Sequence, residues 1–250
     1  PDVYDGAPTS VTAFVGTAPK IAAVVFAFRI LVTGMGTIHS DWAPMLAILA
    51  VASLVVGNLA AIMQTNIKRM LAYSTVSHMG FILLAFMAGA VGFTAGLYYA
   101  ITYALMAAVS FGVLMVLSTK DIECENIKDL AGLNQRHAWF AFLMLLSMFS
   151  MAGIPPLMGF YAKFGVIMAL LKQGHVWLSV FAVIMSLIGA FYYLRVVKVI
   201  YFDAPDHDQP VGSNYAAKFV LTVNAFLLLL WGIMPQTVID WCAKALINTL

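Results

Sequence analysis

Seven stretches, at about 11–33, 43–63, 70–90, 94–117, 138–171, 176–202 and 214–234, stay apolar over the roughly 20 residues a helix needs to cross a bilayer. No other feature constrains the fold as strongly. In hydrocarbon every backbone N–H and C=O needs a partner within the protein, so such stretches become membrane-spanning helices. The expected fold is therefore an all-α polytopic bundle of about seven spans, forming one membrane domain over 1–250. Composition points the same way: 63% hydrophobic residues, 10% charged residues and a mean hydropathy of +0.95 lie far outside the soluble range. The formal charge of +2 comes without any block of basic residues, which excludes a nucleic-acid footprint. Cys124 and Cys242 lie far apart and outside any ligand spacing, so neither a disulfide nor a metal site is expected. The first residues, Pro1-Asp2-Val3-Tyr4-Asp5-Gly6-Ala7-Pro8, are polar and turn-like rather than a secretory signal, and a start other than Met suggests a processed or incomplete chain.

Assigning the spans to alternate sides places Lys68, Arg69, Lys120, Lys128, Arg136, Arg195, Lys198 and Lys218 on one side and Arg29, Lys172 and Lys244 on the other. The positive-inside rule then puts the 118–137 loop and the first residues in the cytoplasm and the C-terminus outside. Arg29, Arg195 and Lys198 are expected to reach the interface as anchors. The 236–250 tail carries Val238, Ile239, Cys242, Ala245, Leu246 and Leu250 on one stripe, with Asp240, Lys244 and Asn248 opposite. It suits an interfacial amphipathic helix, or a helix packed on a neighbouring subunit.

Two lysines break the pattern. Lys20 and Lys163 lie deep inside apolar stretches, whereas all 11 acidic residues fall in loops or flanks. A charge at the bilayer centre costs about 2.5–3.5 kcal/mol on insertion scales, so intramembrane lysines face a bundle interior or a wet cavity and mark ion pathways. Desolvation favours the neutral amine and makes the proton easier to give up. Each lysine is a candidate relay station, or alternatively a structural partner of a carbonyl or carboxylate. Lys163 follows Met151-Ala152-Gly153-Ile154-Pro155-Pro156-Leu157-Met158-Gly159, in the middle of a stretch too long for one straight crossing. Pro155 and Pro156 remove backbone donors, so this helix is expected to break at membrane depth, as in transporters that hold ions at such breaks. Pro19, just before Lys20, suggests a milder kink there. On the third span Ser74, Ser77 and His78 form a polar stripe. His78 is either a relay between the lysines or a histidine satisfied by a serine. Tyr99, Thr102, Tyr103 and Ser110 repeat the stripe on the fourth span, where packing between helices is favoured over lining a file of waters. His39, His137, His175 and His207 lie in loops or at span ends without a catalytic pattern.

Several of these segments resemble a known family. Pro1-Asp2-Val3-Tyr4, Thr17-Ala18-Pro19-Lys20, Gln64-Thr65-Asn66-Ile67-Lys68-Arg69 with Ser77-His78, and Gly153-Ile154-Pro155-Pro156 with Gly159-Phe160 and Lys163-Phe164 are similar to the antiporter-like membrane subunits of respiratory complex I. The likeness covers nearly the whole chain. The opening and Lys163 fit the L and M types of that family less well, the M type commonly carrying glutamate at the place of Lys163. The resemblance implies the C-terminal half of a subunit of about fourteen helices, with Lys20 on its eighth helix and Lys163 on its broken twelfth. It implies proton translocation in NADH:quinone oxidoreductase through Lys20 and Lys163, to which the residues themselves add His78 as relay and Ser74, Ser77, Tyr99, Tyr103, Pro155 and Pro156 as supporting residues. This chain would hold no cofactor, with NADH, FMN, Fe–S clusters and quinone in partner subunits. K-type and M-type membrane neighbours and lipids would surround it, in a bacterial plasma membrane or a mitochondrial inner membrane. Two alternatives stay open: a subunit of a multisubunit cation/proton antiporter, and a structural spacer of the membrane arm.

Overall fold

The computed structural model describes residues 1–118, 123–205 and 215–247. Lys120, His207, Asn248 and Leu250, which entered the reasoning above, lie outside the described residues. The helices are α1 (Asp2–Gly6), α2 (Thr9–Gly16), α3 (Ala18–Phe28), α4 (His39–Met63), α5 (Ile67–Met87), α6 (Gly89–Leu117), α7 (Leu133–Ala152), α8 (Met158–Lys172), α9 (Val176–Phe202), α10 (Tyr215–Ile233) and α11 (Pro235–Ile247). A π-turn, Arg29–Gly34, and a 3-10 turn, Gly36–Ile38, carry α3 into α4.

Among the described residues six segments are long and apolar enough to cross a membrane: Thr9–Gly34, Gly36–Met63, α5, α6, α9 and α10. The pair α7 and α8 adds one broken crossing. Helix α5 is the least apolar of the six candidates and yet the most buried, with α6 next. That inversion is what lipid selects. A helix carrying Ser74, Thr75, Ser77 and His78 gains most by hiding in protein, while helices of higher mean hydropathy such as α4 and α10 can turn much of their surface to hydrocarbon. Helix α4 lies on α5 through Ala50, Leu54, Gly57 and Ala61, all fully or nearly fully buried at alternating steps of four and three residues. Small side chains let the two backbones approach closely, which replaces the hydrophobic drive that is missing between helices in lipid.

The first crossing bends at Thr17 (φ −119°, ψ −92°), between α2 and α3, and the Thr17 hydroxyl donates back to the Ala13 carbonyl at 2.8 Å. Helix α7 begins earlier than the expected span and bends at His137, whose φ of −149° and ψ of 78° are not helical. Helix α5 also begins earlier, at Ile67, so Lys68 and Arg69 sit in its first turn rather than in a loop. Lys68 is fully buried, ion-paired to Glu123 and to Glu125, the latter at 3.1 Å. The Thr9 hydroxyl donates to Glu123 at 3.2 Å. Arg69 pairs with Asp2 (2.9 Å) and Asp5 (3.2 Å), and Asn66, which caps α5 by accepting from the Arg69 amide, also donates to Asp5 at 2.8 Å. One polar clamp thus ties α1, α2, the start of α5 and the segment after α6.

The Arg195 guanidinium, expected to reach the interface, donates to the carbonyls of Ile62 (2.9 Å) and Gln64 (2.7 Å), closing the C-terminal end of α4, whose last carbonyls lack helical partners. In the tail, α11 buries Val238 and Cys242 on the expected stripe and packs against α6 of the same chain.

Donation from Lys68 holds the Glu123 carboxyl below the usual carboxylate range. A carboxylate lowered in this way stabilises the fold above its unfolded pKa, and that contribution disappears as pH falls through its folded value. Acidification from pH 7 to below about 4 should therefore lower the melting temperature of the wild type more than that of Glu123→Gln, which starts lower. Thermal unfolding across that pH range in detergent checks this, and parallel curves would contradict it.

Candidate functional site: two lysines and a broken helix

In an α-helix the carbonyl of residue i accepts from the amide of i+4. For Met151 and Ala152 those amides would belong to Pro155 and Pro156, which have none. Helix α7 therefore stops at Ala152. Gly153 takes the left-handed conformation (φ +88°), and the Ile154 amide returns to the Phe149 carbonyl at 3.0 Å. Helix α8 restarts at Met158, where the Gly159 amide donates to the Ser150 hydroxyl at 3.1 Å. A side chain on Gly159 would meet the Ser150 carbonyl at 1.9 Å, and one on Gly232 of α10 would meet the Pro156 carbonyl at 2.1 Å. The break is thus roofed by protein, the condition under which irregular backbone survives at membrane depth.

Lys163 enters this gap. Its ammonium donates to the Ala152 carbonyl at 3.0 Å and to the Ser186 hydroxyl of α9 at 2.9 Å, and stands 5.7 Å from the centre of the Phe81 ring. The carbonyl that proline leaves open is taken up by the buried lysine. A small cavity beside it is lined by Asn58, Ser77, His78, Ser186, Tyr192 and Tyr193. Its water-accessible volume of about 10 Å³ is close to the space of one water molecule.

His78 forms the opposite wall and is bonded at both ring nitrogens: Nδ1 to the Tyr99 hydroxyl at 2.7 Å, Nε2 to the Tyr193 hydroxyl at 2.9 Å. A neutral imidazole has one donor and one acceptor nitrogen, so one tyrosine accepts from it and the other donates to it. Exchanging these roles carries a proton from one side of the ring to the other. Farther along, the Tyr103 ring lies 5.0 Å from the His78 ring between centres. The Tyr103 hydroxyl is hydrogen-bonded to Thr75 and lies 3.5 Å from the Lys20 ammonium. Among the described residues the ion pairs involve Lys68, Arg69 and Lys198, and neither Lys20 nor Lys163 reaches a carboxylate.

Lys20, His78, Lys163, Ser77, Tyr99 and Tyr103 gather along this line, with shifts of emphasis. Tyr99 and Tyr103, expected mainly to pack, carry hydroxyl hydrogen bonds to His78 and Thr75. Ser77 lines the cavity. The Ser74 hydroxyl donates to the Leu71 carbonyl of its own helix at 2.8 Å, and its oxygen lies against the Tyr193 hydroxyl. Thr102 only back-bonds to Tyr98, and Ser110 pairs with Ser147, away from the lysines. Thr75, Ser186, Asn58, Tyr192 and Tyr193 escaped the sequence analysis. Tyr193 and Ser186 sit on α9, a uniformly apolar span in which nothing local marks them, although the buried pair Tyr192-Tyr193 was a signal that could have been followed.

A helical membrane bundle with a proline-broken crossing and two lysines, Lys20 and Lys163, that reach no carboxylate among the described residues defines the antiporter-like class of membrane subunits. The pattern of one family, NADH:quinone oxidoreductase/Mrp antiporter, TM, matches residues 1–189, and the chain belongs to that family. It is 83% identical over 251 residues to NADH-quinone oxidoreductase subunit N of Neisseria gonorrhoeae, covering 100% of this chain and 52% of that protein. With subunit N of Nitrosomonas europaea it shares 52% identity over the same length and coverage. The chain spans about half the length of the curated relatives it matches. Among solved structures it superposes on a chain of respiratory complex I from Thermus thermophilus with a TM-score of 0.83 at 30% identity, covering 96% of this chain and 52% of that one. The Mrp complex from Dietzia sp. has the same fold at 21% identity, with a TM-score of 0.84 over 97% of this chain and 53% of its own.

Gly153 is the residue on which this geometry turns. A methyl there would force an L-residue to a φ of +88° and stand 3.0 Å from the Lys163 Cδ. Gly153→Ala should cost about 1–3 kcal/mol and lower the melting temperature. Gly165→Ala, whose methyl would meet only ordinary contact at 3.6 Å, should match the wild type and serves as the control.

Proposed function

We propose that this chain is the C-terminal half of an N-type, proton-translocating membrane subunit of NADH:quinone oxidoreductase, in which protons move among Lys20, His78 and Lys163. The observation that carries the proposal is the doubly bonded His78 set between two ammonium groups that have no carboxylate among the described residues. An ammonium neutralised by a carboxylate keeps its proton, whereas one held only by dipoles and ring faces can release it for a modest change in local potential. Each pKa unit corresponds to 1.36 kcal/mol, so a shift of a few units lies within reach of a redox-driven machine.

In this reading Lys163 shares its proton with groups across the small cavity, Ser77 and Ser186 orient the exchange, and His78 passes the proton between Tyr193 and Tyr99. Tyr103 connects that cluster to Lys20. Pro155 and Pro156 act indirectly, by leaving open the carbonyl that holds Lys163. Charge changes arriving from neighbouring K-type and M-type subunits would bias the lysines. The redox groups, NADH, FMN, Fe–S clusters and quinone, would belong to other subunits, and the bacterial relatives favour a bacterial plasma membrane. The 83% identity to a subunit N supports this assignment over the antiporter-complex alternative, for which the Mrp likeness is one of fold.

Replacing Lys163 by Ala in the full-length subunit should leave assembly and most NADH oxidation in place while lowering proton uptake by inverted membrane vesicles at least tenfold. Ser186→Ala, which removes one of two acceptors, should give a smaller loss. If Lys163→Ala instead abolishes assembly, or pumps normally, the chain is a structural spacer and the proposal fails.

A further inference from the structure

We infer that Tyr4, on α1, is a positioning residue that holds the Lys20 ammonium against the face of its ring, together with Tyr103. The inference rests on the relay role proposed for Lys20. Unlike Lys163, which has a carbonyl and a hydroxyl at hydrogen-bond distance, Lys20 has one polar contact among the described residues, the 3.5 Å approach to the Tyr103 hydroxyl, at the limit of a hydrogen bond. Two aromatic faces compensate: the ammonium lies 5.2 Å from the centre of the Tyr4 ring and 4.8 Å from that of Tyr103. Both are inside the roughly 6 Å over which a ring's negative face attracts a cation, and the attraction grows where water is excluded. Rings stabilise the charged amine without offering it a base. The proton is held and yet not surrendered to the partner, which is what a relay group needs.

The placement of Tyr4 is specific. Several contacts hold α1 in place. Asp2 and Asp5 bind Arg69, and the Tyr4 carbonyl accepts from the Thr12 hydroxyl at 3.1 Å. The ring packs on Phe111 at 5.8 Å, and Gly16 leaves the room for both rings, since a methyl there would stand 3.3 Å from Phe111 and 3.7 Å from Tyr4. Asp5 and Tyr4 are adjacent, so the ion pair at Arg69 and the ring at Lys20 move as one body.

The test measures proton uptake during NADH oxidation by inverted vesicles carrying the complete complex, for Tyr4→Phe, Tyr4→Leu, Lys20→Ala and the double variant Tyr4→Leu with Lys20→Ala. Tyr4→Phe keeps the ring and should retain wild-type pumping. Tyr4→Leu should lose on the order of tenfold, and the double variant should be no worse than Lys20→Ala, because Tyr4 acts through that amine. Phe and Leu behaving alike, or a double variant clearly worse than Lys20→Ala, overturns the inference while leaving the relay standing. Normal pumping by Lys20→Ala overturns both. If Tyr4→Leu does not assemble, Tyr4→Met, flexible and ringless, replaces it with the same expectation, and failure of both to assemble assigns Tyr4 a structural role instead.

Discussion

The open carbonyl of Ala152 organises the centre of this protein. Two consecutive prolines withhold the amides that would close the last turn of α7, and in a membrane interior an unpaired carbonyl has no water to turn to. The Lys163 ammonium fills the vacancy, so a backbone defect and a buried charge, each costly alone, satisfy one another. Their union fixes where the lysine stands relative to α5, α9 and the small polar cavity. Gly153 and Gly159 serve the same break, Gly153 by its left-handed backbone (φ +88°) and Gly159 by letting the Ser150 carbonyl approach closer than any side chain would permit.

Around that core the bundle is arranged by the demands of lipid. Helix α5, with Ser74, Thr75, Ser77 and His78, is the most buried of the candidate spans, while α4, the most apolar of them, leaves most of its surface outside. Placing His78, Tyr99, Tyr103 and Tyr193 on helices that face one another in the dry interior strengthens every hydrogen bond they make and makes an unpaired group expensive. The cluster is therefore rigid where it is bonded and has two gaps, one between the rings of Tyr103 and His78 and one at the cavity beside Lys163.

The clamp formed by Lys68, Arg69 and their carboxylates makes an instructive contrast with the two central lysines. Lys68 is as buried as Lys163, but two glutamates reach it, so its charge is neutralised and its work is structural. Lys20 and Lys163 are held by hydroxyls, a carbonyl and ring faces. Identical amines thus acquire different chemistry from the class of group that surrounds them.

By itself the sequence determined the solvent, the helical class, the broken crossing and the anomalous residues Lys20, His78 and Lys163. Each follows from local facts: span length against bilayer thickness, the missing amide of proline, and the cost of charge in hydrocarbon. It could not tell that Lys68, apparently a loop cation, is buried between glutamates more than fifty positions away, or that Arg195 closes a helix more than a hundred residues earlier. Nor could it bring Tyr193, Ser186 and Tyr4 to the lysines. Only the tertiary structure decided those pairings, because a hydroxyl or ring on an apolar helix carries no local mark of what it faces. Helix packing assigns it a partner.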